Sequence, residues 1–194
     1  MAENQLNTFQ VVVIGGSAGS LETVLAMAQA LPAQMQAVII IVLHRKNDPE
    51  SILENLLSYK TQVPVREVED KDEIQPGNIY IAPPDYHLLI EDERTFSLDS
   101  SEKVHFSKPS IDVTFESVAN VFRQRSIGIL LSGANADGAA GLLKIRKAGG
   151  TTIAQDPVSA EVGYMPQQAI DLGAAGMVLD EIALISSFKE LLNA

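Results

Sequence analysis

The chain reads Val-Val-Val-Ile-Gly-Gly-Ser-Ala-Gly-Ser from Val11 to Ser20. The apolar, β-branched start of this stretch is typical of a buried strand in a parallel sheet. Two glycines then allow a sharp turn, which presents the hydroxyl of Ser17 just before a helical pattern begins. In an open α/β sheet, the end of a first strand holds either a phosphate-binding loop or a nucleophile. The stretch therefore predicts the fold class and leaves two functions open.

Strand and helix patterns alternate on both sides of this stretch, as they do in a doubly wound sheet. We predict buried parallel strands at 9–14, 37–43, 127–131, 151–155 and 177–179. We predict helices at 21–31, 49–59, 110–124, 137–148, 166–172 and 182–192. A mostly β insertion at one edge of the sheet is predicted from shorter strand patterns at 63–69, 78–82, 87–91 and 95–98. The expected fold is a Rossmann-like, three-layer α/β/α domain with a mostly parallel sheet and an antiparallel β edge.

Composition limits the domain count and the function classes. The 194 residues allow one domain with a sizeable core, so we expect a tail at 1–8 and a single domain at 9–194. A formal charge of −11 argues against nucleic acid and anionic membranes as partners. The chain lacks cysteine, which excludes disulfides and thiolate chemistry. Neither a signal peptide nor a membrane span is recognisable, so we expect a cytoplasmic protein without membrane insertion. We expect neither a cofactor nor a metal.

Polar residues follow three of the predicted parallel strands. Ser17 follows the first strand, His44 ends the second, and Asp137 lies in the polar loop after the third long strand. The carboxyl ends of parallel strands meet at one edge of a sheet, so these side chains should lie on one rim. A serine hydroxyl needs a base near neutrality, and the histidine needs an acid to fix its tautomer. Together the three residues have the types of a nucleophile–base–acid triad.

Each of these residues also has a simpler interpretation. Ser17 could cap the following helix or lie in a phosphate-binding turn, and Asp137 could cap the helix that begins near Gly138. His44 could be a rim histidine without a role, in which case His87 is the fallback base. Co-location of three complementary residue types on one rim favours the triad.

Known motifs separate the two functions only in part. The loop lacks the G-x-G-x-x-G spacing of dinucleotide sites, and the second strand ends without an acid for the ribose. Arg45 and Lys46 keep an NADP-type site open. The G-x-S-x-G elbow of α/β-hydrolases is matched literally, but that fold orders its triad as serine, acid and histidine. Here the order is Ser17, His44, Asp137, so a serine hydrolase would have another fold.

Six motifs in order resemble the catalytic domain of the CheB chemotaxis protein-glutamate methylesterases, over nearly the whole stretch from Val11 to Phe188. The motifs are Ile14-Gly15-Gly16-Ser17-Ala18-Gly19, the strand that ends at His44, Ile74-Gln75-Pro76-Gly77-Asn78-Ile79-Tyr80-Ile81-Ala82-Pro83, Pro109-Ser110-Ile111-Asp112, Leu131-Ser132-Gly133 through Asn135-Ala136-Asp137-Gly138-Ala139, and Tyr164-Met165-Pro166. The resemblance implies that Ser17 is the nucleophile, His44 the base and Asp137 the orienting acid. The implied reaction is hydrolysis of glutamyl methyl esters on cytoplasmic chemoreceptor helices, with deamidation of glutamines as a second activity.

The resemblance also implies an oxyanion site and its surroundings. A backbone N–H in the Gly133-Ala134 turn is the expected oxyanion donor, and such a donor contributes about 3 kcal/mol. The other expected backbone and pocket residues are Gly16, Ala18, Asn135 and Met165.

The chain departs from the family pattern at several positions. Ala18 stands where the family usually has a hydroxyl residue, and the loop before Asp137 lacks a methionine. We expect a methylated chemoreceptor or similar methylated protein as partner, with a methyltransferase or receiver protein acting in trans, because no receiver domain precedes the first strand. The alternatives are a weakly active or inactive binding module of the same fold, and a nucleotide-binding domain.

Overall fold

The computed structural model describes residues 9–45, 52–91 and 94–193. The predicted tail at 1–8 lies outside the described residues. So do Lys46, the first residues of the helix predicted at 49–59, and the centre of the turn predicted between the strands at 87–91 and 95–98.

Seven strands form one parallel sheet, and two more form a separate antiparallel hairpin. The strands are β1 (Val11–Gly16), β2 (Val38–Leu43), β3 (Val65–Glu67), β4 (Ile79–Ile81), β5 (His87–Ile90), β6 (Phe96–Asp99), β7 (Ser126–Leu130), β8 (Thr151–Gln155) and β9 (Met177–Leu179). The sheet order is β3-β4-β2-β1-β7-β8-β9, and each adjacent pair is parallel. The predicted doubly wound α/β fold is confirmed.

Helices cover both faces of the sheet, which gives three layers. They are α1 (Leu21–Gln29), α2 (Ile52–Lys60), α3 (Ile111–Phe122), α4 (Ala139–Lys147), α5 (Tyr164–Asp171) and α6 (Glu181–Asn193). Alternate residues of β1 point to opposite faces: Val11 and Val13 pack with α3 and α4, while Val12 and Ile14 pack with α1 and α6. In the described parts of the chain, no helix is long and apolar enough to cross a membrane.

The middle of the chain differs from the predicted β insertion. β3 and β4 are parallel strands of the main sheet, whereas β5 and β6 pair with each other outside it. This hairpin packs on α3, where the Thr114 hydroxyl donates to the carbonyl of Leu88 at 2.8 Å and the Ile90 amide donates to Ser117 Oγ at 3.1 Å. Three- and four-residue strands carry too little pattern to show which partner they choose.

The strand order places three loops side by side. β1 lies between β2 and β7, with Gly16 opposite Leu43 and Gly15 opposite Leu130. The chain winds outward from β1 through β2 first and returns to the other side of β1 with β7. The gap between β1 and β7 is therefore the switch point at which open α/β sheets form their sites. Neighbouring strands are about 4.8 Å apart, so the residues that follow β2, β1 and β7 share one edge.

Helices α3 and α4 pack closely at Gly141. A Cβ at this position would lie 2.6 Å from Phe115 Cβ and 2.9 Å from the backbone oxygen of Asp112. The Gly141 amide also donates to Asp112 Oδ1 at 2.6 Å. The close approach therefore fixes the N-terminus of α3 against α4.

Gly141→Ala is expected to destabilise the protein by about 1–3 kcal/mol, because backbone atoms of α3 must move to admit the methyl group. Helix propensity alone would give the opposite sign, a gain of about 1 kcal/mol. Urea unfolding checks the sign. Ala140→Gly at the exposed neighbour calibrates the propensity contribution, and a Gly141→Ala protein more stable than the parent would contradict the close packing.

Candidate active site

Ser17 lies half-buried in the turn that follows β1. Its amide donates to the carbonyl of Ser132 at 2.9 Å, and its carbonyl accepts from the amide and hydroxyl of Ser20 at 3.1 and 2.7 Å. The first residue of α1 follows Ser20, which is its N-cap residue. The Ser17 hydroxyl neither accepts nor donates a hydrogen bond among the described residues, so it caps no helix and stays available for chemistry.

Close packing explains two glycines of this turn. A Cβ on Gly16 would lie 2.5 Å from the hydroxyl oxygen of Ser20. Gly19 has φ +77°, and a Cβ there would lie 2.6 Å from Glu161 Cβ and 2.8 Å from Ser132 Oγ. The turn is thus held against both β7 and the loop that carries Glu161, which fixes the position of Ser17.

His44 and Asp137 meet at this edge of the sheet, with His44 Nε2 at 2.7 Å from Asp137 Oδ2. Asp137 is fully buried and accepts three further hydrogen bonds. The Ser110 hydroxyl and the Asp112 amide donate to Oδ1 at 2.8 and 3.0 Å, and the Ile111 amide donates to Oδ2 at 2.7 Å. Each carboxylate oxygen therefore has two donors, which suits an ionised acid at a helix N-terminus.

The pKa values of two neighbouring aspartates, Asp137 and Asp112, are shifted in opposite directions. Burial raises the pKa of Asp137, but hydrogen bonds from His44, Asp112, Ile111 and Ser110 outweigh it, so the pKa lies below its ordinary value of 3.8. Burial raises the pKa of Asp112, and the charge of Asp137 adds to this rise. Asp137 is therefore the carboxylate that stays charged beside His44.

The hydrogen bond to Asp137 assigns the roles of the two ring nitrogens. An ionised carboxylate accepts, so Nε2 of His44 carries the proton and Nδ1 has the lone pair of a base. Nδ1 lies 3.3 Å from Ser107 Oγ, which lies 3.3 Å from Asn135 Nδ2. Asn135 Oδ1 accepts from the Asp137 amide at 3.1 Å, which closes a ring of hydrogen bonds. Within the described chain, no hydrogen bond joins His44 to the Ser17 hydroxyl.

Asp137 serves a different helix from the one that the sequence suggests. The predicted helix at 137–148 starts instead at Ala139, and its N-cap residue is Gly138 with φ +96° and no side-chain cap. Asp137 lies at the N-terminus of α3, where Ser110 is the N-cap residue. Sequence reasoning missed Ser107 and the role of Ser110, because both contacts join residues far apart in the chain.

The other two histidines are occupied by structural contacts. His87 is buried, and its Nδ1 accepts from the Ser110 amide at 3.1 Å while Nε2 lies 2.9 Å from the Glu102 carbonyl. It has no nitrogen left to act as the fallback base. His105 Nε2 lies 3.2 Å from Asp112 Oδ2 at the surface.

The predicted oxyanion and pocket residues are only partly suited to that role. The Gly133 amide donates to the carbonyl of Val162 at 3.0 Å, so the predicted donor in the Gly133-Ala134 turn can only be the Ala134 amide. Met165 is fully buried against Gly133 and does not line an open pocket. In the described structure the N–H groups of Ala18 and Ala134 have no acceptor, so they are the available donors.

Comparisons with known proteins show the family of the chain. The family model for the CheB methylesterase domain matches residues 12–186. The chain belongs to the CheB methylesterase family. The resemblance predicted from the six motifs is therefore confirmed.

Individual relatives support the same family. A Leptospira interrogans protein, provisionally named protein-glutamate methylesterase/protein-glutamine glutaminase, is 44% identical over 175 residues, which cover 88% of this chain and 89% of that protein. A Symbiobacterium thermophilum protein-glutamate methylesterase/protein-glutamine glutaminase is 37% identical over 170 residues, which cover 88% of this chain and 47% of that protein. The chain thus matches one relative along most of its length and another along about half.

The crystal structure of the Thermotoga maritima CheB methylesterase catalytic domain has the same fold. The two structures superpose with a TM-score of 0.89 at 32% identity, covering 95% of this chain and 99% of that chain. The parallel sheet with its separate small hairpin is therefore the fold of this catalytic domain.

Proposed function

We propose that this CheB-family chain is a serine hydrolase that removes methyl groups from glutamyl methyl esters of chemoreceptors. Ser17 is the nucleophile, His44 the general base and Asp137 the acid that positions the base. The proposal includes deamidation of receptor glutamines, which is the same acyl transfer with ammonia as the leaving group. It places the protein in the cytoplasm, with a methyltransferase or receiver protein as further partners in trans.

The observation that supports this most strongly is the environment of Asp137. A buried carboxylate with four hydrogen-bond donors, one of them a histidine, is costly to build for structure alone. The arrangement fixes one tautomer of His44 and directs its basic nitrogen away from the acid. It lies at the end of β2, next to the strand whose end carries Ser17.

In the proposed reaction, the Ser17 oxygen attacks the ester carbonyl while Nδ1 of His44 takes the hydroxyl proton. The tetrahedral intermediate then expels methanol, and the imidazolium returns the proton to the departing oxygen. Water attacks the acyl-enzyme with His44 again as base, which releases the glutamate and restores Ser17. Asp137 stays ionised throughout and stabilises the imidazolium.

Two backbone amides are the proposed oxyanion donors. The N–H of Ala18 follows the nucleophile directly, and the N–H of Ala134 projects from the loop after β7. Both residues are exposed and both amides are free in the described structure. An ester carbonyl attacked by Ser17 would carry its developing negative charge between these two loops.

A binding module without catalysis is the second candidate. The observation that favours it is the missing hydrogen bond between Ser17 and His44 in the described chain, with Ser107 facing the basic nitrogen instead. Unliganded enzymes often have loose catalytic contacts, so a substrate or a rotation of the serine side chain could complete the triad. A nucleotide site is less well supported, because Arg45 forms an ion pair with Glu67.

Methanol release and covalent labelling test the proposal together. We expect the protein to release methanol from a methylated cytoplasmic receptor fragment. We also expect a fluorophosphonate to add to the peptide that contains Ser17, because such probes need an activated serine. Gas chromatography measures the methanol, and peptide mass spectrometry locates the adduct.

The two readouts separate the candidates. A protein that gives neither methanol nor adduct is the binding module. An adduct on Ser107 in place of Ser17 would contradict the assignment of the nucleophile, since the Ser107 hydroxyl lies 3.3 Å from Nδ1 of His44. The exposed Ser159, on the loop that packs beside the nucleophile turn, serves as the internal control and should remain unlabelled.

A further inference from the structure

A tight turn projects an aromatic side chain beside His44. In this turn, called the 104–107 turn below, the amide of Val104 donates to the carbonyl of Ser107 at 3.2 Å and the reverse bond is 2.9 Å. Phe106 at its tip is 96% exposed. Aromatic residues are frequent anchors of protein interfaces.

The backbone of the turn is strained and well anchored. His105 has φ +48° and Phe106 φ +63°, a region that glycine and asparagine adopt more easily. His105 Nε2 contacts Asp112 at 3.2 Å, and Ser107 Oγ lies 3.3 Å from His44 Nδ1. The fold thus holds the turn on both flanks and directs Phe106 into solvent. Strain of this kind concentrates at functional sites.

The cleft of about 360 Å³ next to the turn is positively charged. It is lined by His44, Arg45, Asp85, Lys103, Phe106, Ser107 and Lys108. The Lys108 ammonium donates to the carbonyls of Ser100 and Ser101, and its charge also acts on the carboxylate of Asp99, which does not line the cleft. Lys103 is exposed and has no carboxylate partner in the part of the chain that the structure describes. Two lysines therefore face one acid, Asp85, in a chain whose formal charge is −11.

We propose that the 104–107 turn docks the acidic polypeptide segment that flanks the esterified glutamate, with Phe106 and Lys103 in contact with it. This proposal rests on the proposed function, since it names what that site recognises. Ser17 is not among the residues that line this cleft, so a small ester can react at Ser17 without contact to Phe106. A protein substrate with carboxylates near its ester would fill a cleft that combines an apolar tip with two ammonium groups.

Binding measured without turnover tests the docking. In a Ser17→Ala background, the Kd of a methylated receptor fragment is expected to rise about tenfold with Phe106→Ala. Lys103→Glu should raise it about fivefold at low ionic strength and less in high salt. The matched controls Tyr59→Ala, an 89% exposed aromatic on α2, and Lys147→Glu, an exposed lysine on α4, should leave the Kd unchanged.

Turnover with the native serine gives a second measure. Phe106→Ala should raise the ratio of p-nitrophenyl acetate turnover to receptor demethylation about tenfold. An unchanged Kd and ratio would overturn the docking, as would a dimer that dissociates with Phe106→Ala, because Phe106 would then contact a second copy. Binding that responds as expected while the protein with Ser17 releases no methanol would support the docking and overturn the proposed function.

Discussion

Replacing Ser17 with alanine is expected to lower kcat/KM for receptor demethylation by about 10⁶-fold, the size of effect seen when a serine nucleophile is removed. The reason is that the acyl-enzyme forms on the Ser17 oxygen in the proposed mechanism. The loss of activity should come almost entirely from the chemical step and not from a less stable fold. The Ser17 hydroxyl has no hydrogen-bond partner in the described structure, so the free energy of unfolding should change by less than about 0.5 kcal/mol.

The measurement is methanol release under single-turnover conditions, with urea unfolding of the same preparations. Ser159→Ala removes a hydroxyl from the neighbouring loop and should retain full activity. A Ser17→Ala protein that demethylates at more than about one hundredth of the parent rate would rule out Ser17 as the nucleophile. Ser107, whose hydroxyl lies 3.3 Å from Nδ1 of His44, would then be tested as the nucleophile.

The grouping of residues at the strand ends could be predicted from the sequence, because it requires only that the strands be recognised as buried and parallel. Apolar runs identify β1, β2 and β7, and parallel strands must direct their carboxyl ends to the same edge. Residues that follow those runs are therefore neighbours whatever the loops do. This is why His44 and Asp137, which lie 93 positions apart, could be placed together before the structure was known.

The contacts within the loops could not be predicted, because each depends on a distant segment. Local capping rules assign Asp137 to the next helix, yet its carboxylate lies at α3, about 25 residues earlier in the chain. The Gly133 amide looks free in sequence, but the loop carrying Val162 crosses it and takes its hydrogen bond. Likewise, a serine in a polar stretch gives no sign that it will face the base, as Ser107 does.

Asp137→Asn is expected to lower kcat by about 10⁴-fold, since the variant keeps a carbonyl for His44 but loses the charge that stabilises the imidazolium. An amide has only one oxygen, so with its carbonyl at the Oδ2 position both donors to Oδ1 face an NH2 group. The Ser110 hydroxyl can rotate and accept from this group, whereas the Asp112 amide can only donate and is left unpaired. Hydrogen bonds to a buried charge contribute about 1.5–3 kcal/mol each, so a loss of stability of about 2–4 kcal/mol should accompany the loss of activity.

The dependence of the free energy of unfolding on pH, measured on the acid side, gives a readout that the loss of catalysis alone would not produce. The pKa of Asp137 in the folded state lies below its ordinary value of 3.8, so its ionised form stabilises the fold. That contribution is complete above the ordinary pKa and disappears as the pH falls through the folded pKa. Urea unfolding between pH 7 and pH 3 should therefore show a stability difference between parent and Asp137→Asn that is constant above about pH 5 and narrows below pH 4.

Asp112→Asn is the matched control for the acid. It removes the neighbouring carboxylate, which caps Gly141 and contacts His105 but does not touch His44. Because burial raises the pKa of Asp112, neutralising it should not reproduce the narrowing below pH 4, and activity should fall less than tenfold. If Asp112→Asn lost as much activity as Asp137→Asn, the loss in Asp137→Asn would result from disturbed packing at the N-terminus of α3. The contact between Asp137 and His44 would then not be its cause. If Asp137→Asn alone abolished demethylation while both variants unfolded cooperatively, the carboxylate at His44 would be the group that sustains the base.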